Sequence, residues 1–123
     1  MITLRLILTH SVAKWAENVC DTYDLDMESL IFQAVEYCGK DVVKSLTEDD
    51  YARYNTFTSP YYMTVMFTET LYNMVQQLAK GTLFSISYIV NGCLKYVKDN
   101  FEDFERWYDE KLRKEVKENE NAD

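Results

Sequence analysis

Residues 1–8 read MITLRLIL, and residues 62–67 read YMTVMF. In both stretches apolar side chains recur at every second position, so an extended chain would have one largely apolar face. Alternation with this period, in segments that include β-branched residues, predicts a β-strand. We therefore expect two short strands, each with one face against a core.

Two amphipathic helices are predicted after the first strand. Thr9 is placed to cap a helix over residues 10–23, where apolar side chains recur three and four positions apart. The run Asp24-Leu25-Asp26 interrupts that pattern, and Asp26 can cap the next helix. We expect this second helix to end near Gly39, because glycine is common just beyond helix ends.

The segment after the second strand has the same order of features. Thr68 is placed to cap a helix that Gly81 breaks, and Ser85 to cap a last helix that reaches Val97. The two passages align without a gap at a constant offset of 59 positions, as in the pairs Thr9/Thr68 and Tyr37/Tyr96. This alignment predicts an internal repeat.

We divide the chain accordingly. Residues 1–40 form unit 1, residues 62–98 form unit 2, and residues 41–61 form a linker in which the pattern allows a short helix over 45–54. Residues 99–123 are predicted to continue as a charged helix whose last residues, 119–123, fray. Five apolar side chains follow one face of this helix: Phe101, Phe104, Trp107, Tyr108 and Leu112. They either pack on the chain's own core or form a protein-interaction strip for self-association or another protein.

Composition narrows the class of protein. A length of 123 residues suits one domain or two very small units, and a hydrophobic content of 47% is enough for a core. No apolar run approaches the ~20 residues that span a membrane, and residues 1–11 lack the pattern of a signal peptide. The three cysteines are too few for a disulfide scaffold, so we expect buried thiols in a reducing, cytoplasmic compartment.

The inventory of reactive side chains disfavours an enzyme. His10 is the single histidine, we expect it on the surface at a helix start, and no Cys-x-x-Cys spacing occurs. Three glycines are too few for a phosphate-binding loop. We therefore expect no catalysis, no metal and no cofactor.

A strand followed by two helices cannot bury its apolar faces alone and leaves both strand edges unpaired. We expect the two units to pair, forming a two-stranded antiparallel ribbon under four helices. Each unit resembles the ribbon-helix-helix DNA-binding family of the MetJ/Arc/CopG type. The stretches that carry the resemblance are LRLILTHSVAKWA (4–16), LDMESLIFQAVEYC (25–38), MTVMFTETLYNMV (63–75) and FSISYIVNGCLKYV (84–97). The tandem arrangement is also similar to double ribbon-helix-helix transcription regulators of archaeal filamentous viruses, which act in the host cytoplasm.

The resemblance implies a mainly α fold, a tandem pseudo-dimer with a C-terminal helix. The function it implies is sequence-specific binding of duplex DNA and regulation of transcription. Outward strand residues would then contact base edges in the major groove: Thr3, Arg5, Ile7, Tyr62, Thr64 and Met66. Arg5 is the best candidate because its planar guanidinium can bond guanine bidentately. A solvated strand charge is the alternative interpretation of Arg5. Ile7 and Met66 depart from the polar residues usual in the family, and they would contact thymine methyl groups or a protein.

The resemblance also implies that the N-terminus of each unit's second helix binds phosphate. Unit 2 fits this pattern with four neutral or basic residues: Lys80, Thr82, Ser85 and Ser87. Unit 1 departs from it, because Asp24, Asp26 and Glu28 would oppose a phosphate. This difference predicts asymmetric DNA contact, or no DNA contact by unit 1.

The formal charge of -8 does not exclude DNA, because the charge is unevenly distributed. Residues 1–38 carry -4 and residues 98–123 carry -4, whereas residues 62–97 carry +1. We expect weak non-specific DNA affinity, with the acidic regions facing away from the duplex. The alternative function is a protein-binding ribbon-helix-helix module, such as an antitoxin-like inhibitor acting through its acidic surface and tail.

Overall fold

Strand β1 (Ile2–Thr9) and strand β2 (Pro60–Phe67) form a two-stranded antiparallel sheet in the computed structural model, which describes residues 1–46 and 60–122. Five helices accompany the sheet in these ranges: α1 (His10–Tyr23), α2 (Met27–Ser45), α3 (Glu69–Ala79), α4 (Ile86–Asp99) and α5 (Phe101–Ala122). The prediction of a mainly helical fold with an antiparallel pair of strands is confirmed.

Alternating side chains give this ribbon a buried and an exposed face. Leu6, Leu8, Val65 and Phe67 point into the core and are at most 5% exposed, whereas the residues between them face solvent. The strands pair from Ile2 opposite Phe67 to Thr9 opposite Pro60. Pro60 thus belongs to the strand, at its first residue, where a missing N–H is tolerated.

The N-caps of the helices differ from one another. Thr68, Ser85 and Asp26 each accept a hydrogen bond from a backbone N–H in the first turn, as predicted. Thr9 occupies the N-cap position of α1, but its side chain makes no cap hydrogen bond. Instead, its hydroxyl donates to Oδ1 of Asn91 on α4 at 3.3 Å, so the predicted N-cap position is confirmed but the side chain does not cap the helix.

Helix α2 does not end near Gly39, as the sequence predicted, but continues to Ser45. Gly39 is buried, and a Cβ built there would lie 2.7 Å from Cδ1 of Leu78 on α3. The glycine therefore allows two helices to approach closely and leaves α2 uninterrupted. The apolar stripe continues with Val42, which is also buried.

Helix α3 ends as predicted before Gly81, which has a positive φ of 79° that favours glycine. The C-terminal region differs from the prediction of a continuous helix, because α4 ends at Asp99 and α5 begins at Phe101. Between them Asn100 donates from its backbone N–H and its side-chain amide to Tyr96 O.

The core lies between the buried face of the ribbon and the helices, and α2 packs against α4 at its centre. Cys38 and Cys93 are buried in this contact, where the hydrogen bond with the Cys38 thiol raises the pKa of the Cys93 thiol. Cys20 is only half-buried, which corrects the expectation of three buried thiols.

Three predictions concern the linker, the tail and the membrane. Ser45, where the expected short linker helix would begin, belongs to α2, and the rest of that helix falls largely outside the described residues. The backbone of α5 is helical through Ala122, including most of the segment expected to fray. Within the described ranges, no helix is both long enough and apolar enough to span a membrane.

Candidate nucleic-acid interface

Six side chains form the exposed face of the ribbon, here called the outer ribbon face: Thr3, Arg5, Ile7, Tyr62, Thr64 and Met66. The register places them in three cross-strand pairs, with Thr3 opposite Met66, Arg5 opposite Thr64, and Ile7 opposite Tyr62. All six residues are exposed. The face therefore brings together every residue that the sequence analysis proposed for base contacts.

Arg5 lies in the middle pair of the outer ribbon face and is its one formally charged member. Its guanidinium carbon is 4.3 Å from the centroid of the Tyr62 ring, a cation–π contact. Tyr62 lies diagonally across the ribbon from Arg5, within reach of a long side chain. The contact holds the guanidinium over the face. Because the guanidinium is planar, its five N–H donors point in fixed directions.

Half of the outer ribbon face is large and apolar or aromatic. Ile7 is 39% exposed, Tyr62 53% and Met66 55%. Such side chains can contact the methyl group of thymine in a major groove, and they can equally contact an apolar protein surface. The two threonines add hydroxyl groups that donate and accept hydrogen bonds.

Side chains in the first and second turns of α4 are attached to the free edge of β1. The backbone N–H of Ile7 donates to Oγ of Ser87 at 2.9 Å, and the N–H of Thr9 donates to Oδ1 of Asn91 at 2.9 Å. These bonds satisfy strand-edge donors that would otherwise be unpaired. They also place the N-terminus of α4 beside the outer ribbon face.

The four residues proposed for phosphate contact lie at or before this first turn. Oγ of Ser85 accepts from the N–H of Tyr88, and Oγ1 of Thr82 donates to Ala79 O and accepts from the N–H of Phe84. Ser85 and Ser87 accept hydrogen bonds from backbone groups, and a hydroxyl in that position can still donate its own hydrogen. Exposed Lys80 follows the end of α3.

The N-terminus of α2 has the opposite electrostatic character. Oδ1 of Asp26 accepts from the N–H of Ser29 at 2.7 Å, and this bond holds the pKa of the Asp26 carboxyl below its ordinary value. Oε1 of Glu28 accepts from the hydroxyl of Thr68 at 3.0 Å. Asp24 is exposed in a left-handed conformation just before the helix. Three carboxylates therefore lie at the N-terminus of α2, and their negative charge disfavours binding of an anion there.

Three further residues around the ribbon were not among the site residues proposed from the sequence. Asn91 is 6% exposed and holds the end of β1, as a polar residue within the apolar stripe of α4. His10 and Lys14 lie beside Tyr61, at 5.7 Å between ring centroids and at 5.0 Å from Nζ to the ring. The polar interruption of an apolar stripe was a usable signal for Asn91, whereas the pairing of His10 and Lys14 with Tyr61 depends on the tertiary structure.

The C-terminal helix packs on the chain itself. Phe104 is 6% exposed, and its ring lies 5.4 Å from that of Tyr37 on α2, while the ring of Trp107 lies 5.1 Å from Tyr37. Nζ of Lys111 donates to Gln33 and Glu36 at 2.8 and 2.9 Å. Phe101 and Tyr108 are half-buried, and only Leu112 of the proposed protein-interaction strip is exposed, at 41%. Most of that strip therefore lies in intramolecular contact.

Comparisons with known proteins and a search for metal sites assign no further role. No protein-family model, curated protein or solved structure matches the chain. Within residues 1–46 and 60–122, no group of three or more His, Cys, Asp or Glu residues is arranged to hold a metal ion. The geometry of the outer ribbon face and its flanks is therefore the basis for assigning a function.

Proposed function

We propose that this chain is a tandem ribbon-helix-helix protein that binds duplex DNA through its outer ribbon face and regulates transcription without catalysis. The observation that carries the proposal is the position of Arg5 at the middle of an exposed two-stranded ribbon, directly opposite Thr64. A ribbon of this kind has the width to enter the major groove, where each base pair presents a distinct pattern of donors and acceptors.

The strand register supports a pseudo-dimer of the two units. Arg5 and Thr64 are separated by 59 positions, which is the offset at which the two units align, and they face each other in the ribbon. Tyr37 and Tyr96 are separated by the same offset, and their rings are 6.2 Å apart. Contacts between equivalent residues are what a two-fold relation between the units would produce.

Five of the six side chains of the outer ribbon face have a stated role at the base edges in this proposal. Arg5 leaves the Tyr62 ring and bonds a guanine through two N–H groups. Thr3 and Thr64 donate or accept hydrogen bonds at base edges. Ile7 and Met66 contact thymine methyl groups, which is the base feature that apolar side chains recognise.

Phosphate binding is proposed on one side of the ribbon only. The N-terminus of α4 lies beside β1 through the bond from Ile7 to Ser87, and Lys80 supplies a positive charge nearby. Asp26 and Glu28 make the N-terminus of α2 unfavourable for an anion. With few phosphate contacts, we expect affinity that depends only modestly on salt concentration.

Selection of random duplex DNA on the purified full chain tests this function. We expect enrichment of a short motif, and the enriched duplex should compete against scrambled duplexes of the same composition. Failure of any sequence to become enriched would contradict the proposal. The scrambled duplex is the matched control because it keeps the phosphate charge constant.

A second function, a protein-binding module, is favoured by the apolar half of the outer ribbon face. Ile7 and Tyr62 are exposed as a pair at one end of the face and Met66 is exposed at the other end, on a chain whose formal charge is -8. In that case the face would bind a partner with an apolar patch and a basic surround. Duplex DNA of every sequence would then leave the protein unbound at moderate salt, which separates the two functions.

A further inference from the structure

A cavity of about 310 Å³ lies where α5 crosses α1 and α2. Buried Val19, Leu30 and Phe104 line it, together with side chains that are exposed or half-buried. Small-molecule sites in proteins measure roughly 300–1,000 Å³ and combine apolar walls with a few polar groups. This cavity lies at the small end of that range, so its size suits a ligand of few heavy atoms.

Four aromatic rings follow one another along the cavity. Tyr23 and Phe101 have ring centroids 6.1 Å apart, Phe101 and Phe104 are 6.2 Å apart, and Phe104 and Tyr108 are also 6.2 Å apart. All four of these residues line the cavity. The rings of Phe101, Phe104 and Tyr108 are nearly parallel, at 24° and 11° to one another, whereas the ring of Tyr23 is tilted by 59° to that of Phe101. An aromatic ring whose face borders a cavity attracts cations through its negative quadrupole.

Every charged side chain in the lining is a carboxylate, among the residues that the structure describes. Glu105 and Asp109 lie four positions apart on α5, so they project from the same side of the helix, and both are exposed. The nearby ammonium group of Lys111 bonds to Gln33 and Glu36, and the Glu36 carboxylate balances its charge. The cavity therefore favours a positive ligand.

We propose that this cavity binds a small organic cation of the quaternary-ammonium class. Aromatic rings and carboxylates together recognise such groups, because the cation is weakly hydrated and carries methyl groups that contact apolar walls. Metal ions are strongly hydrated, so binding beside the apolar side chains is unfavourable because it would remove their water. Anions are disfavoured because the two carboxylates repel them. This proposal does not depend on whether the ribbon binds DNA.

Titration of the full chain with choline tests the proposal. The matched control ligand is 3,3-dimethylbutan-1-ol, the neutral isostere in which carbon replaces the quaternary nitrogen of choline. Trp15 contacts Phe101 at 5.9 Å and Trp107 contacts Phe104 at 5.8 Å, so tryptophan fluorescence reports binding beside the calorimetric signal. We expect saturable binding of choline and at least about tenfold weaker binding of the isostere. Absence of saturation by choline, or equal binding of the two ligands, would overturn the proposal.

Two double variants separate the cavity from the general charge of α5. Glu105→Gln with Asp109→Asn removes both carboxylates of the cavity and should weaken choline binding about tenfold. Glu102→Gln with Glu110→Gln removes two exposed carboxylates of the same helix outside the cavity and should leave binding unchanged. Equal affinities in the two variants would contradict the assignment, and thermal unfolding of each variant checks that it is folded.

Discussion

Arg5 and Thr64 lie directly opposite each other in the antiparallel ribbon, although 59 positions separate them in the chain. The pair is the middle one of the three on the outer ribbon face. Arg5 also contacts Tyr62 on the same strand as Thr64. The guanidinium of the middle pair thus lies over the Tyr62 ring, towards the end of the face that Ile7 and Tyr62 form.

The proposed DNA function predicts different effects for Arg5→Ala and Lys80→Ala. Loss of Arg5 should remove discrimination of about 1–3 kcal/mol at one base pair and leave binding to scrambled DNA little changed. Loss of Lys80 should weaken binding to all sequences. It should also reduce the slope of the logarithm of the binding constant against the logarithm of salt concentration by about one. Fluorescence anisotropy with preferred and scrambled duplexes measures both effects. Equal losses on both duplexes in the Arg5 variant would argue against base recognition by Arg5.

Asn91→Ala should destabilise the fold by about 1–3 kcal/mol, because the N–H of Thr9 loses its acceptor in a partly buried position. Ser87→Ala is the control, since it removes the equivalent bond to the N–H of Ile7 at an exposed edge that water can reach. We expect the smaller loss for Ser87→Ala. Urea unfolding of both variants measures the difference, and a larger loss in the Ser87 variant would contradict the role given to Asn91.

Thr68→Ala should cost more stability than Thr9→Ala. The Thr68 hydroxyl accepts from the N–H of Leu71 and donates to Glu28, so its removal costs a helix cap of about 1 kcal/mol and a second bond. Thr9 loses only a hydroxyl bond to Asn91, whose oxygen keeps the bond from the Thr9 N–H. Thr68→Ser, which retains the hydroxyl, should behave nearly as the wild type in chemical denaturation. The reverse order of the two alanine variants would show that Thr9 acts as the cap.

Asp26 predicts a dependence of stability on pH. Its pKa is lower in the folded chain because its carboxylate accepts the N–H of Ser29. The stabilisation is therefore complete above the unfolded value of about 3.9 and is lost as the pH falls through the folded value. Asp26→Asn keeps a good cap that does not titrate in this range.

Unfolding free energies at about pH 6 and about pH 3 measure this effect. The stability of the wild type relative to Asp26→Asn should decrease at the lower pH. Ser85→Asn changes the equivalent cap of α4 without removing a titrating group, so its stability relative to the wild type should not change between the two pH values. A constant difference between the wild type and Asp26→Asn would contradict the prediction.

Local patterns were sufficient to predict the strands, most of the helix starts and the exposed set on the ribbon. Alternation assigned Arg5 and Thr64 to the outward face, because a side-chain period of two leaves no other arrangement once one face is buried. Asp26, Thr68 and Ser85 were correctly predicted as caps because the interaction involves only the next few residues.

Long-range packing decided the features that the sequence did not reveal. Gly39 is typical of a helix end, but the side chain of Leu78 from another helix occupies the space beside it, and α2 continues. Thr9 is typical of a cap, but Asn91 bonds its hydroxyl across the fold. In both cases a contact with a residue tens of positions away in the sequence decided the outcome, and the local structure expected at that residue did not form.

The sequence by itself determined the order of the elements and which side chains face outward, since these depend on periodicities of two and about 3.6 residues along one chain. Only the tertiary structure decided that Arg5 meets Thr64 and Tyr62, that α4 holds the edge of β1, and that α5 lines a cavity together with α1 and α2. Those contacts join residues that are distant in the sequence. They depend on strand register and helix packing, which local patterns do not specify.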